Sequence, residues 1–194
     1  MKMPRSFQNY CRAESGVAAI EMAFVLPFLL FVYFGLLDLT GYVSFNRKIT
    51  SVASALGDLT GQSRNTIIKS EISDFMYSVN LIMKPTPANK VSVNLFGFRN
   101  VAGTVVQVWK TGNGAGPGCA TTPQKTKMAS LMTAGNDLVV AQACMTYTPY
   151  VATFMGVKVI GKTSFSIEQI VMVRPRSSLK LDCFTTAAMT TRCT

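Results

Sequence analysis

The residues of this chain that could carry chemistry fall into four sets: its carboxylates, its cysteines, one glycine-rich stretch, and a glycine–valine–glutamate spacing near the N-terminus. There is no His among the 194 residues. That removes the Ser-His-Asp and Cys-His triads, the HExxH helix and every zinc site with an imidazole ligand. Nine Asp+Glu leave little material for acid–base or Mg²⁺ chemistry, and the strand-forming half holds only Asp137, Glu168 and Asp182. The stretch Thr111-Gly112-Asn113-Gly114-Ala115-Gly116-Pro117-Gly118 invites a phosphate-binding reading. It has no Gly-Lys-Ser/Thr, and Pro117 falls where a dinucleotide fingerprint needs its third glycine, so it is expected to be a surface connection. The expectation is a chain that is not an enzyme and holds no cofactor and no metal.

The fourth set is more specific. Gly16 precedes an apolar run, Val17 opens it, Glu21 lies one helical turn further on, and Pro27 sits in the middle. A carboxylate in a membrane helix costs a few kcal/mol and so calls for a partner. A cut after Gly16 would give Val17 a free α-amino group, cationic near neutral pH. Glu21 of one subunit could then pair with that amine on a neighbour. Read without such a cut, Glu21 is a residue that snorkels to the head-group boundary.

These residues must be positioned by the segment around them. From Val17 to Leu37, 18 of 21 residues are apolar, the exceptions being Glu21, Pro27 and Gly35. As a helix the run spans roughly 30 Å, the thickness of a bilayer core. An ordinary cleaved signal peptide has a shorter core and a small-x-small site just beyond it. Here the first such site, Ala53-Ser54-Ala55, comes well after the run. Residues 1–16 carry Lys2, Arg5 and Arg12 against Glu14, and a short basic flank is retained in the cytoplasm. The expected organisation is therefore a cytoplasmic leader over 1–16, a transmembrane helix over 17–37 and an exported, periplasmic domain over 38–194. Cysteine use agrees, with Cys11 alone on the cytoplasmic side and four, Cys119, Cys144, Cys183 and Cys193, in the exported part. Cys144 is the favoured partner of Cys119, leaving Cys183 with Cys193, although four cysteines allow three connectivities.

The string Glu14-Ser15-Gly16-Val17-Ala18-Ala19-Ile20-Glu21-Met22-Ala23-Phe24-Val25-Leu26-Pro27 resembles the N-terminus of TadE-like proteins. Further passages look similar to that family: Arg47-Lys48-Ile49-Thr50-Ser51, Asp58-Leu59-Thr60-Gly61-Gln62, Leu81-Ile82-Met83-Lys84-Pro85 and Met172-Val173-Arg174-Pro175-Arg176. The resemblance is strong over 12–62, weaker to 176 and absent beyond. It implies a minor pseudopilin of a tight-adherence (Tad/Flp) pilus machine, in which Gly16 and Val17 flank a prepilin-type cleavage site and Glu21 and Pro27 serve assembly. It also implies its partners: other Tad pilins and pseudopilins, a prepilin peptidase and inner-membrane platform proteins. The major Flp pilins carry Tyr after the glutamate, where this chain has Met22. A relative of the TadG type, not cleaved, would be anchored by the same segment and leave Glu21 unpaired, as a periplasmic binding or scaffold domain contacting acidic ligands or the pilus machinery.

Beyond Leu37 a helical period persists through Tyr42, Phe45, Ile49, Val52, Ala53, Leu56 and Leu59. The spacing predicts a stem continuing the membrane helix, with two separate helices broken near Asp38–Gly41 as the alternative and a kink or stop near Gly57. A second amphipathic helix is predicted over Thr66–Met83, with Ile68, Ile72, Phe75, Met76, Val79 and Met83 on one side, ending before two prolines. The period then changes to two. Val91, Val93 and Leu95 lead through a turn at Asn100–Gly103 to Thr104–Lys110, a predicted hairpin. Strands follow at Asp137–Tyr147 and Thr163–Arg174, with a short excursion at Pro149 and Val157–Ile160 and a short helix at Lys125–Met132. The fold class is α+β, an antiparallel sheet packed on the helical stem. Residues 84–194 carry twelve basic and three acidic side chains. The basic residues are dispersed and there is a single Trp, so a solvated surface or an acidic partner is expected and no specific nucleic acid.

Overall fold

The computed structural model describes residues 15–86, 90–112, 118–119, 123–124, 128–156, 158, 161–176 and 179–193. The first helix, α1, runs unbroken over Ser15–Gln62, so the continuous stem is the form adopted. Its two halves live in different surroundings. Residues up to Leu39 are almost all exposed, whereas Ile49, Val52, Ala53 and Leu56 are fully buried. The stop expected near Gly57 does not occur. A Cβ at Gly57 would lie 3.0 Å from Val173 Cγ2, and one at Gly61 2.8 Å from Val173 Cγ1. Both glycines let the helix approach the sheet closely, and that packing outweighs their roughly 1 kcal/mol helix penalty.

After α1 the chain forms β1 (Thr66–Ile68) and α2 (Lys69–Met83). The helix predicted from Thr66 therefore starts three residues late. Thr66, Ile67 and Ile68 pair in parallel with a short strand near the C-terminus, and such long-range pairing overrides local periodicity. Glu71 marks the true start, its carboxylate accepting the Ile68 backbone N–H at 3.1 Å. Ile72, Val79 and Met83 are buried, with Phe75 and Met76 packed beside them.

The sheet consists of β2 (Val91–Val101), β3 (Thr104–Gly112), β4 (Asp137–Tyr147) and β5 (Phe165–Val173). Its order is β3-β2-β4-β5 and every pairing is antiparallel. The α+β class is thus the observed one. The β2–β3 turn places Ala102 and Gly103 at φ of 50° and 88°, the left-handed geometry a tight hairpin requires. Six residues at Tyr150–Met155 form α3 between β4 and β5, and Asp182–Phe184 form β6, the partner of β1.

One face of the sheet meets the helices. Val91, Val93, Leu95, Val139, Ala141, Ala143, Met145, Tyr147 and Ile167 share a core with Ile49, Val52 and Leu56 of α1. The faces predicted for β4 and for both helices agree with this. The opposite face is also buried in part: Phe96, Phe98, Val105, Leu138 and Val140 pack with Met128 and Met132. That second core comes from the other set of alternating positions. Met128 and Ala129 are helical and the chain turns after them. The rest of the predicted Lys125–Met132 helix, at 125–127, lies outside the described residues, as do 113–117 of the glycine-rich stretch and 157, 159 and 160.

The C-terminal tail is tied to the sheet by charge. Asp137, buried at the start of β4, accepts Arg99 Nε at 2.6 Å, Arg99 Nη2 at 2.7 Å and the Leu181 backbone N–H at 2.7 Å. Arg99 also reaches Asp182 at 3.2 Å. The Asp137 hydrogen bond raises the Arg99 pKa above its ordinary value, burial opposing it. Trp109 lies against Gly97 and donates its indole N–H to the Leu181 carbonyl at 2.8 Å.

Candidate functional site

The functional candidates named from sequence lie along the exposed half of α1. Gly16, Val17, Glu21 and Pro27 all belong to that one helix and are exposed. Val17 and Glu21 stand one turn apart and so on the same side, about 6 Å along the axis. Pro27 has no N–H to give the Ala23 carbonyl four residues earlier, yet the helix continues through it. Around them the surface is apolar: Val17, Ile20, Met22, Phe24, Leu26, Phe28, Leu29 and Phe31 are all exposed, Phe24 to 79%. None of the most apolar 18-residue window is covered by the rest of the chain. A surface of this kind is stable only against lipid or against other apolar helices. By length and composition this helix can cross a membrane; Glu21 is the one charge between Val17 and Leu37.

Where the apolar half ends, a junction couples it to the sheet. Asp38 Oδ1 accepts the Tyr150 backbone N–H at 2.5 Å and Oδ2 accepts that of Val151 at 3.0 Å. These are the first N–H groups of α3, which the preceding Pro149 cannot cap with a side-chain acceptor. Tyr147, at the end of β4, donates its hydroxyl to the Asp38 carbonyl at 3.1 Å. Its ring meets Tyr42 edge-on at 5.9 Å and packs on Phe45 at 5.7 Å. Gly41 permits this contact, since a Cβ there would come within 2.9 Å of the Tyr147 hydroxyl. Burial, with the Asp38 charge assisting, pushes the Tyr147 pKa up to about 12. An apolar hollow of about 490 Å³ opens beside the junction, lined by Phe31, Gly35, Leu39, Tyr42, Val151 and Phe165.

Sequence reasoning missed this junction. In sequence, Asp38 reads as a possible break between helices, and the signal that identifies it is its position: a carboxylate directly after the apolar run, with Pro149 before a short helical stretch.

The cysteines named from sequence meet in pairs. Cys119 is bonded to Cys144, with Cα atoms 5.6 Å apart, and Cys183 to Cys193, with Cα atoms 5.4 Å apart. The first joins the described end of the glycine-rich connection to β4, and the second closes the tail behind β6. The carboxylates of the sheet region do not converge. Asp137 and Asp182 are drawn together by Arg99, while Glu168 accepts a hydrogen bond from Gln142 on the adjacent strand. Among the described residues no group of three or more Cys, Asp or Glu is arranged to hold a metal.

Neither the curated proteins nor the solved structures contain a match to this chain. Residues 16–56, the apolar half of α1 with the turns that enter the core, match the family model of the TadE-like protein, and over that segment the chain is similar to that family of Tad pilus-associated components.

Proposed function

We propose that the chain is a structural assembly component of a Tad (Flp, type IVb-like) pilus, a minor pseudopilin held in the inner membrane by α1. The observation that carries this reading is the TadE-like match over 16–56, set on a helix half whose apolar surface the chain leaves uncovered and whose one charge is Glu21. In this reading residues 1–16 remain cytoplasmic and 17–37 span the bilayer. Residues 38–194 form the periplasmic domain, where an oxidising environment sustains both disulfides. The partners are other Tad pilins and pseudopilins, the prepilin peptidase and inner-membrane platform proteins.

The mechanism is packing rather than catalysis. Cleavage after Gly16 creates an ammonium at Val17. Glu21 of a neighbouring subunit pairs with it, and their attraction offsets part of the desolvation cost of the two charges within the apolar layer. Stems then pack side by side through the exposed Val17–Leu37 surface, and the junction at Asp38 transmits the position of each stem to its domain. Glu21→Ala tests this. The variant should insert and be cleaved as before, yet pilus assembly should fall sharply. Undiminished pili in that variant would remove the role given to Glu21. A chain that retains its leader and still supports pili would favour the anchored, TadG-like scaffold instead.

A further inference from the structure

Three cations of the exported domain are paired with acids, and others are not. The paired ones lie at the end far from the apolar span: Arg99 with Asp137 and Asp182, Arg176 with Asp58, Arg192 with Asp182. At the near end stand four lysines without such a pair. Lys84 ends α2 at the level where its carbonyl accepts Lys48 Nζ of α1 at 2.9 Å. Lys90 precedes Val91, which pairs with Met145, and lines a hollow with Phe45, Tyr147 and Tyr150. Lys158 lies just past Gly156, where α3 ends. Lys162 stands three residues before Phe165, which pairs with Tyr147. All four side chains are exposed, and none forms an ion pair with a described residue. The carboxylate at this level is Asp38, and both of its oxygens already accept backbone N–H groups.

The level itself is set by α1. Asp38 follows directly on the apolar run, and the helix climbs about 1.5 Å per residue, so the Asp38–Lys48 stretch lies within about 17 Å of the end of that run. The head-group layer adds about 5–8 Å on each side of the hydrocarbon, so the level of Lys84 stands beyond it by one screening length of about 10 Å. Exposed Tyr42, about 8 Å beyond Leu37 along α1, and Tyr150, whose backbone N–H bonds Asp38, stand at the foot of the domain, where amphipathic aromatic rings favour a membrane–water boundary. Unpaired ammonium groups, Tyr42 with Tyr150, and an apolar span thus follow one another in the order that lipid presents phosphate, glycerol and hydrocarbon.

We propose that Lys84, Lys90, Lys158 and Lys162 form a rim that binds the anionic head groups of phospholipids around the foot of α1, seating the domain on the membrane surface. The proposal rests on the reading of α1 as a membrane span. The ligand is a phosphodiester bearing net negative charge, and each lysine near such a surface strengthens the attraction severalfold.

The test uses the full chain reconstituted in phosphatidylcholine vesicles containing phosphatidylglycerol. Electron paramagnetic resonance compares spin-labelled phosphatidylglycerol with spin-labelled phosphatidylcholine for the fraction immobilised at the protein. The rim predicts enrichment of the anionic lipid by about threefold or more at about 0.1 M salt, falling toward one at about 1 M, where the screening length shrinks from about 10 to about 3 Å. Replacing all four lysines (K84Q, K90Q, K158Q, K162Q) should abolish the enrichment, and the same four changed to Arg should keep it. Lys2, Arg5 and Arg12 changed to Gln together should leave it in place. A ratio near one for the native chain, or an unchanged ratio in the four-Gln variant, overturns the rim. Alkaline carbonate extraction separates the two levels. A chain stripped from the vesicles fails the spanning reading itself, whereas one that stays but shows no selectivity fails the rim alone.

Discussion

Removing the Asp38 carboxylate should loosen the joint between the membrane half of α1 and the sheet without unfolding the core. Asp38→Ala deletes the acceptor of two backbone N–H groups, Tyr150 at 2.5 Å and Val151 at 3.0 Å. A hydrogen bond to a charged acceptor contributes about 1.5–3 kcal/mol, and loss of a helix cap costs about 0.5–2 kcal/mol. Tyr150 is exposed, so water replaces its lost acceptor cheaply; Val151 is buried and cannot be rehydrated in place. The expected cost is therefore about 2–3 kcal/mol, located at α3 and the end of β4. Asp38→Asn keeps one oxygen acceptor and should cost about half as much. Amide hydrogen exchange on the full chain in detergent micelles reads the effect where it occurs. At about 1.4 kcal/mol per factor of ten, Tyr150 and Val151 should exchange roughly 30- to 150-fold faster in the Ala variant. The amides of β2, on the far side of β4, should change little. An acceleration below about threefold at both positions, or a uniform loss of protection through the sheet, would refute the assignment of Asp38 as a local clamp.

Gly97→Ala should cost about 2–4 kcal/mol, because the new Cβ would lie 2.1 Å from Trp109 Nε1 and must displace a buried ring. As the chain has one Trp, the red shift of its emission reports that displacement directly. Tyr147, with its pKa raised to about 12, is neutral in the fold above the pH at which an unfolded tyrosine ionises. Its contribution is thus complete below about pH 10 and is lost as pH rises toward 12. Tyr147→Phe should flatten that part of the stability profile in denaturant titrations. Asp137→Asn removes the charge that Arg99 and the Leu181 amide share. It should cost about 3 kcal/mol and open the tail around Leu179–Phe184 to limited proteolysis at an early stage.

Much of the architecture was legible where one face of an element meets one core. The period through Phe45, Ile49, Val52 and Leu56 identified the stem, and alternation through Val139 to Tyr147 identified β4, because burial on a single side leaves a clean repeat. Legibility failed where a residue answers to something distant. Gly57 looked like a helix stop since its purpose, clearance for Val173, lies on a strand more than a hundred residues away. Thr66–Ile68 carried a helical pattern but pairs with Asp182–Phe184. Phe96 and Phe98 build the second core from the face of β2 that its first residues, Ser92 and Asn94, mark as polar. The candidate site divides in the same way. Gly16, Val17, Glu21 and Pro27 were visible because their meaning is local and sequential. The Asp38 junction was hidden because its donors come from Tyr147, Tyr150 and Val151.

The central claim is that this helix is an export-and-assembly stem whose first mature residue is Val17. Mass determination and N-terminal sequencing of the protein extracted from membranes of the producing cells test it most directly. The account predicts a mature chain that begins at Val17 and has Glu21 as its fifth residue, with Gly16→Ala accumulating the uncleaved form. A native chain that retains residues preceding Gly16 would contradict it.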